Sequence, residues 1–149
     1  MPLICIASPK GGVGKTSVAA GLSDALRRAG RTVVAIDCDP QNALRLHLGL
    51  PITEVDGYLA RLPERPDWRH FLRQTPAGID LLPHGEADLR AAQASADMIE
   101  REPELLAGPV RAMLADPATL VLADTPPGAS AALSALLPQT ALVLAVLLA

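Results

Sequence analysis

Lysine is almost missing from this chain. Of its 13 cationic side chains only Lys10 and Lys15 are lysine, and both fall in Pro9-Lys10-Gly11-Gly12-Val13-Gly14-Lys15-Thr16. Cysteine is as scarce. Cys5 and Cys38 stand in no Cys-x-x-Cys or Cys/His pattern, which excludes a disulfide framework, a zinc site and a bridged iron-sulfur cluster, and suits a reducing cytosol. The N-terminus lacks the charged region and apolar stretch of a secretory signal, since Pro2 leads straight into a short strand-like run. The apolar run from Thr140 to Ala149 falls far short of the roughly 20 residues that span a bilayer and reads as a buried strand. Excess positive charge is also absent. A formal charge of −3 and a pI near 5.5 disfavour general nucleic-acid binding. What remains is a chain of 149 residues, 50% apolar, enough for one globular domain with a buried core.

The order of elements indicates an α/β fold. Leu3 to Ala7 is a continuous apolar run, as in a parallel strand covered on both faces. The glycine loop follows it at once. From Lys15 the apolar residues Val18, Leu22, Ala25, Leu26 and Ala29 recur at helical spacing, with Arg27 and Arg28 in the last turn and Gly30 placed to end the helix. Thr32 to Ile36 is a second strand, delivering Asp37-Cys38-Asp39 at its C-terminal end, where open α/β sheets bind ligands. Prolines at 51, 63, 66 and 76 cut the next stretch into pieces, with brief helices expected around Val55 to Arg61 and Asp67 to Arg73. Ile79 to Leu82 is a third strand, followed by helices over Glu86 to Arg101 and Pro103 to Leu114. Thr119 to Ala123 is a fourth strand ending in Asp124-Thr125-Pro126-Pro127-Gly128, and a short helix and the strand Ala141 to Leu148 close the sequence.

Consecutive small residues between a strand and a helix let backbone N–H groups converge on an anion, and the helix N-terminus adds partial positive charge. Gly11, Gly12 and Gly14 give that freedom. A compact ammonium such as Lys15 follows a phosphoryl group as a point charge, where a guanidinium prefers fixed bidentate partners. Thr16 is a hydroxyl ligand for Mg²⁺, and Ser17 can support the α phosphate. Alternation along the strand puts Asp37 and Asp39 on one side and Cys38 on the other, so both carboxylates can face a metal and an attacking water. Asp124 ends a strand, as a carboxylate holding Mg²⁺ through water would, and the Gly128 N–H is placed to meet the γ phosphate. His47, His70 and His84 lie far apart without metal spacing. Trp68 reads as a packing anchor, and Arg61, Arg65, Arg69 and Arg73 as a solvated face.

Three segments in this order, Lys10 to Thr16, Asp37-Cys38-Asp39-Pro40-Gln41 and Asp124 to Gly128, resemble the deviant Walker A ATPases of the MinD and ParA family. The strict P-loop pattern has glycine where Pro9 stands. The resemblance implies a P-loop NTPase with a mostly parallel sheet flanked by helices on both faces, binding ATP and Mg²⁺ in an ATP-sandwich homodimer. It implies that Lys10 reaches across to the partner's phosphates, that Asp39 occupies the switch I position associated with hydrolysis, and that Val13 belongs to the phosphate loop. The expected reaction is slow ATP hydrolysis, with Lys10, Lys15 and Asp39 catalytic and Thr16, Asp37, Asp39 and Asp124 around the metal.

Within that class, Pro40-Gln41-Asn42-Ala43-Leu44-Arg45-Leu46 lacks the Gln-Gly-Asn pattern of plasmid ParA proteins. It is similar to a stretch of the cellulose-synthase accessory ATPases, the BcsQ (YhjQ) group. Asp67-Trp68-Arg69 and Ile79-Asp80-Leu81-Leu82-Pro83-His84-Gly85 resemble the same group. The implied role is an accessory subunit of bacterial cellulose synthesis and secretion, cytoplasmic and recruited to the inner membrane by partner subunits. The alternatives are a ParA or MinD-like positioning ATPase acting on DNA or membrane, and a nucleotide-binding scaffold without turnover. Members of the family are longer, so residues 1–149 are expected to form the N-terminal part of a usually longer domain, with an open sheet edge near Ala141 to Leu148.

Overall fold

The computed structural model describes residues 2–149. Its frame is a six-stranded sheet in the order β3-β4-β2-β5-β1-β6, made of β1 (Leu3–Ala7), β2 (Thr32–Asp37), β3 (Arg73–Gln74), β4 (Asp80–Leu82), β5 (Thr119–Asp124) and β6 (Leu142–Ala145). Every neighbouring pair is parallel except β3 with β4. The helices are α1 (Lys15–Arg28), α2 (Leu44–His47), α3 (Leu89–Arg101), α4 (Glu104–Met113) and α5 (Ala131–Leu136).

The continuous apolar strands divide their side chains between two cores, as burial on both faces requires. Leu3, Cys5, Val34, Ile36, Val121 and Ala123 pack with Ile99, Leu106, Val110 and Leu136 from α3, α4 and α5. Ile4, Ile6, Val33, Ala35, Leu120 and Leu122 pack with Ala19, Ala20 and Leu44 from α1 and α2. The same alternation carries Asp37 and Asp124, paired in register at the ends of β2 and β5, to the α1 side, while Cys38 enters the opposite core.

Several expectations need correction. The buried face of α1 is Lys15, Ala19, Ala20 and Ser23, with Leu22 and Leu26 only partly covered and Val18, Ala25 and Ala29 exposed. Small residues bring this helix close to the sheet. The last strand is not buried. β6 is an edge strand whose Leu142 and Val143 are 52% and 42% exposed. The proline-cut stretch holds two 3-10 turns, Leu59–Glu64 and Trp68–Phe71, and the unforeseen strand β3, and the equally unforeseen α2 lies just before it. α3 starts at Leu89, where the Asp88 side chain accepts the Ala91 N–H at 2.7 Å.

Pro109 lies inside α4 and has no N–H for the carbonyl of Leu105, four residues earlier. Tyr58 supplies the missing donor. Its ring is buried against Phe71, and its hydroxyl donates to Leu105 O at 2.6 Å. Trp68 packs at the edge of this core beneath the Arg69 guanidinium; Arg61, Arg65 and Arg69 make exposed ion pairs with Glu64, Glu102 and Asp67, and half-buried Arg73 pairs with Glu54.

Candidate functional site

The loop after β1 reaches α1 through two left-handed glycines, Gly12 (φ 73°) and Gly14 (φ 85°). A Cβ built on either would meet nothing within 4 Å, so the positive φ and not crowding is what favours glycine there. Gly14 is the N-cap of α1, and no side chain caps this helix. The first-turn amides therefore lack both intrahelical and side-chain partners, a donor set for an anion. A cavity of about 510 Å³ sits over them, with Lys10, Gly12, Lys15, Thr16, Ser17 and Asp39 in its wall. Gly11 and Gly14 border it too, and Val13 is half-buried beside them. Lys10 is exposed and makes no ion pair among the described residues.

Lys15 is only 6% exposed and sits between two carboxylates, ion-paired to Asp124 and 3.7 Å from Asp39 Oδ2. Thr16 Oγ1 donates to Asp124 Oδ2 at 2.8 Å. The sheet thus unites Lys15, Thr16, Asp39 and Asp124 from three separate segments. Burial raises the Asp124 carboxyl above its usual range, against the opposing pull of Lys15 and Thr16. Asp37 goes further, to about 8, chiefly through burial and then through Asp124. Its two oxygens accept backbone N–H groups, from Asp39 at 3.0 Å and from Leu44 at 3.2 Å. Asp37 therefore ties the loop after β2 to the start of α2, a task additional to the metal role expected from sequence. Among the described residues no three His, Cys, Asp or Glu side chains form a metal cluster.

The Gly128 amide has a partner already, Ser8 O at 2.7 Å, and Gly128 itself is left-handed (φ 77°). A contact from this amide to a terminal phosphate requires that bond to open. Ser8 carried no signal in the sequence; its carbonyl takes the Gly128 amide, and its buried hydroxyl has no partner among the described residues. Sequence reasoning also gave no role to Asn42 beyond a resemblance. Asn42 is buried and left-handed (φ 53°), and its Oδ1 accepts the Gly85 N–H at 3.1 Å. The signal was the similarity of both stretches to one group, and the structure brings the two together. His47 and His70 are exposed; His84 is buried, its Nδ1 2.8 Å from Gly85 O, and burial lowers its pKa. Both cysteines are free and buried, which pushes their thiols up and leaves them unreactive.

A phosphate loop opening a helix, with acids at the tips of two neighbouring parallel strands, defines a P-loop protein of the MinD and ParA type. The family profile described as "Cellulose biosynthesis protein BcsQ" matches residues 1–149. The chain belongs to that family. It is 34% identical to the BcsQ protein of Salmonella typhi over 86 residues, 58% of this chain and 34% of that protein. It is also 34% identical to the chromosome partitioning protein ParA of Caulobacter vibrioides (strain NA1000 / CB15N) over 128 residues, 84% of this chain and 48% of that one. Among solved structures, cobyrinic acid a,c-diamide synthase from Mycobacterium smegmatis, with bound ATP analog and magnesium, superposes with a TM-score of 0.82 at 28% identity, covering 99% of this chain and 60% of that one. The septum site-determining protein MinD from Pyrococcus horikoshii OT3, complexed with Mg-ADP, gives 0.75 at 27% identity, covering 97% and 57%. The matches to these two curated relatives span a third to a half of their length.

Proposed function

We propose that the chain binds Mg-ATP over the first turn of α1 and hydrolyses it slowly in an ATP-sandwich homodimer, as an accessory ATPase of bacterial cellulose synthesis and secretion. The observation that carries this reading is the uncapped N-terminus of α1 behind two open left-handed glycines, with Lys15, Thr16, Asp39 and Asp124 gathered beside it. Amides from Gly11 to Thr16 would hold the phosphates, with Ser17 at the α phosphate and Lys15 at the β and γ phosphates. Thr16 and Asp124 fit a magnesium ion, Thr16 directly and Asp124 through water, and the bound ion would offset phosphate charge. Asp39 is suited to orient the attacking water, and Asp37 to fix the loop that carries Asp39. Lys10, exposed and unpaired, is free to reach a partner subunit's phosphates. The solved relatives with bound ATP analog, ADP and magnesium support this ligand choice.

The family match supports the cellulose role, and no helix among the described residues is long and apolar enough to cross a membrane. Recruitment to the inner membrane from the cytoplasm would then run through partner subunits. The ParA relative, matched over 84% of this chain, favours a second reading as a positioning ATPase on DNA. Salt-dependent retention on DNA would select it.

Titration calorimetry with Mg-ATP tests the proposal. Wild-type protein should give binding heat and Lys15→Ala none. Asp39→Ala should keep the heat while turnover falls by a factor on the order of 10² or more. Absence of heat from folded wild-type protein refutes nucleotide binding, and binding without turnover leaves a nucleotide-binding scaffold.

A further inference from the structure

We infer that Asn42 is the positioning residue of the hydrolytic loop, holding Asp39 in place by clasping the turn at residues 39–42 onto the tip of β4. This rests on the reading of Asp39 given above. The turn is closed by the Asn42 N–H, which donates to Asp39 O at 2.9 Å. Asp39 Oδ1 accepts the Gln41 N–H at 3.0 Å, which leaves Oδ2 turned toward Lys15. The left-handed backbone of Asn42, one that asparagine tolerates better than most residues, brings its side chain against Gly85. Its Oδ1 is the acceptor there, and its Nδ2 is buried without a partner among the described residues.

The anchor is rigid for a steric reason. Gly85 (φ 92°) and Gly57 are packed backbone to backbone, so that a Cβ on Gly57 would lie 2.2 Å from Gly85 N and a Cβ on Gly85 would lie 2.6 Å from Gly57 N. Hydrogen bonds stitch the same two segments together, from Tyr58 N to Pro83 O (2.9 Å), Ala60 N to His84 O (2.8 Å) and Glu86 N to Val55 O (2.7 Å). Asp39 is thereby fixed from both ends. Asp37 holds the start of the turn, and Asn42 holds its end to a site outside the phosphate loop.

Hydrogen exchange on the nucleotide-free full chain tests the clasp. Asn42→Gly keeps the backbone conformation and removes the acceptor, so exchange should quicken about tenfold in residues 39–44 and at Gly85, as loss of one hydrogen bond of ~1.4 kcal/mol implies. Residues 10–16 should be unchanged. Asn42→Asp retains an acceptor oxygen and should keep the protection at Gly85. Should Asn42→Gly fail to fold, Asn42→Ser, whose hydroxyl is too short to span the gap, takes its place. In the same variant the Mg-ATP dissociation constant should stay within threefold of wild type while turnover drops at least tenfold. Unchanged exchange at residues 39–44 overturns the inference, as does exchange quickening evenly through the phosphate loop and sheet. So does affinity falling in step with turnover. Wild-type protein that binds no Mg-ATP would remove the functional reading instead, and the exchange pattern alone would then decide the clasp.

Discussion

The pairing of Tyr58 with a proline inside α4 gives a prediction that can be worked through to a number. Removing the hydroxyl in Tyr58→Phe leaves the Leu105 carbonyl without a donor, because Pro109 has no N–H to offer. A buried acceptor left unsatisfied costs roughly 1–3 kcal/mol, and the half-buried setting of this one points to about 1–2 kcal/mol. For a domain of this size that lowers Tm by roughly 3–8 °C. The decisive comparison is a double-mutant cycle with Pro109→Ala, which restores a helical N–H facing the same carbonyl. In that background the cost of Tyr58→Phe should shrink by about 1 kcal/mol, measured by urea unfolding followed by circular dichroism. An equal cost in both backgrounds would show that Tyr58 acts through ring packing alone, and the account of the helix would fall.

Two further outcomes follow from the site and the sheet edge. In nucleotide- and metal-free protein the urea midpoint should fall as pH rises from 7 to 9. The Asp37 carboxyl, pushed up from 3.8 to about 8, keeps in the folded state a proton that the unfolded chain has lost, so this stabilisation is complete only below the unfolded value, declines as pH rises toward about 8 and levels off above it. Asp37→Asn should flatten the slope, and a slope that persists in the variant assigns it to another group. At the other end of the molecule Val143→Lys, on the edge strand β6, should reduce concentration-dependent association in sedimentation velocity. Wild-type protein that stays monomeric at all concentrations contradicts this.

The strands were legible because a run such as Leu3–Ala7 or Thr119–Asp124 carries apolar side chains at both parities, which only a sheet covered on two faces requires. Parity also set Asp37 opposite Cys38, and Asp124 was placed by its position at a strand end. The face of α1 was misread because periodicity weights large apolar residues, whereas close approach to the sheet selects Ala19, Ala20 and Ser23 and leaves Val18 outside. The open edge expected near Ala141 to Leu148 is there, and only the reading of β6 as a buried strand failed, for another reason. Hydrophobicity reports what a strand prefers, not whether a neighbour lies beside it. Between residues 43 and 78 the local code is weak, and long side chains settle the path, as where buried Arg45 donates to the carbonyls of Pro51 and Ile52. Of the candidate site, the positions of Lys15, Thr16, Asp39 and Asp124 could be foreseen from spacing. The Gly128 partner could not, since the Ser8 carbonyl comes from 120 residues earlier in the chain.

On the proposed reading, that amide-to-carbonyl bond would let the protein measure the length of its ligand. A neutral carbonyl satisfies the Gly128 N–H at 2.7 Å, so an incoming group wins the amide only by bringing concentrated negative charge to the same spot. On the proposed reading a third phosphate extends that far and a second does not. The loop after β5 would then stay fastened to the root of the phosphate loop with a diphosphate bound and come loose with a triphosphate, making one peptide group the ruler between the two.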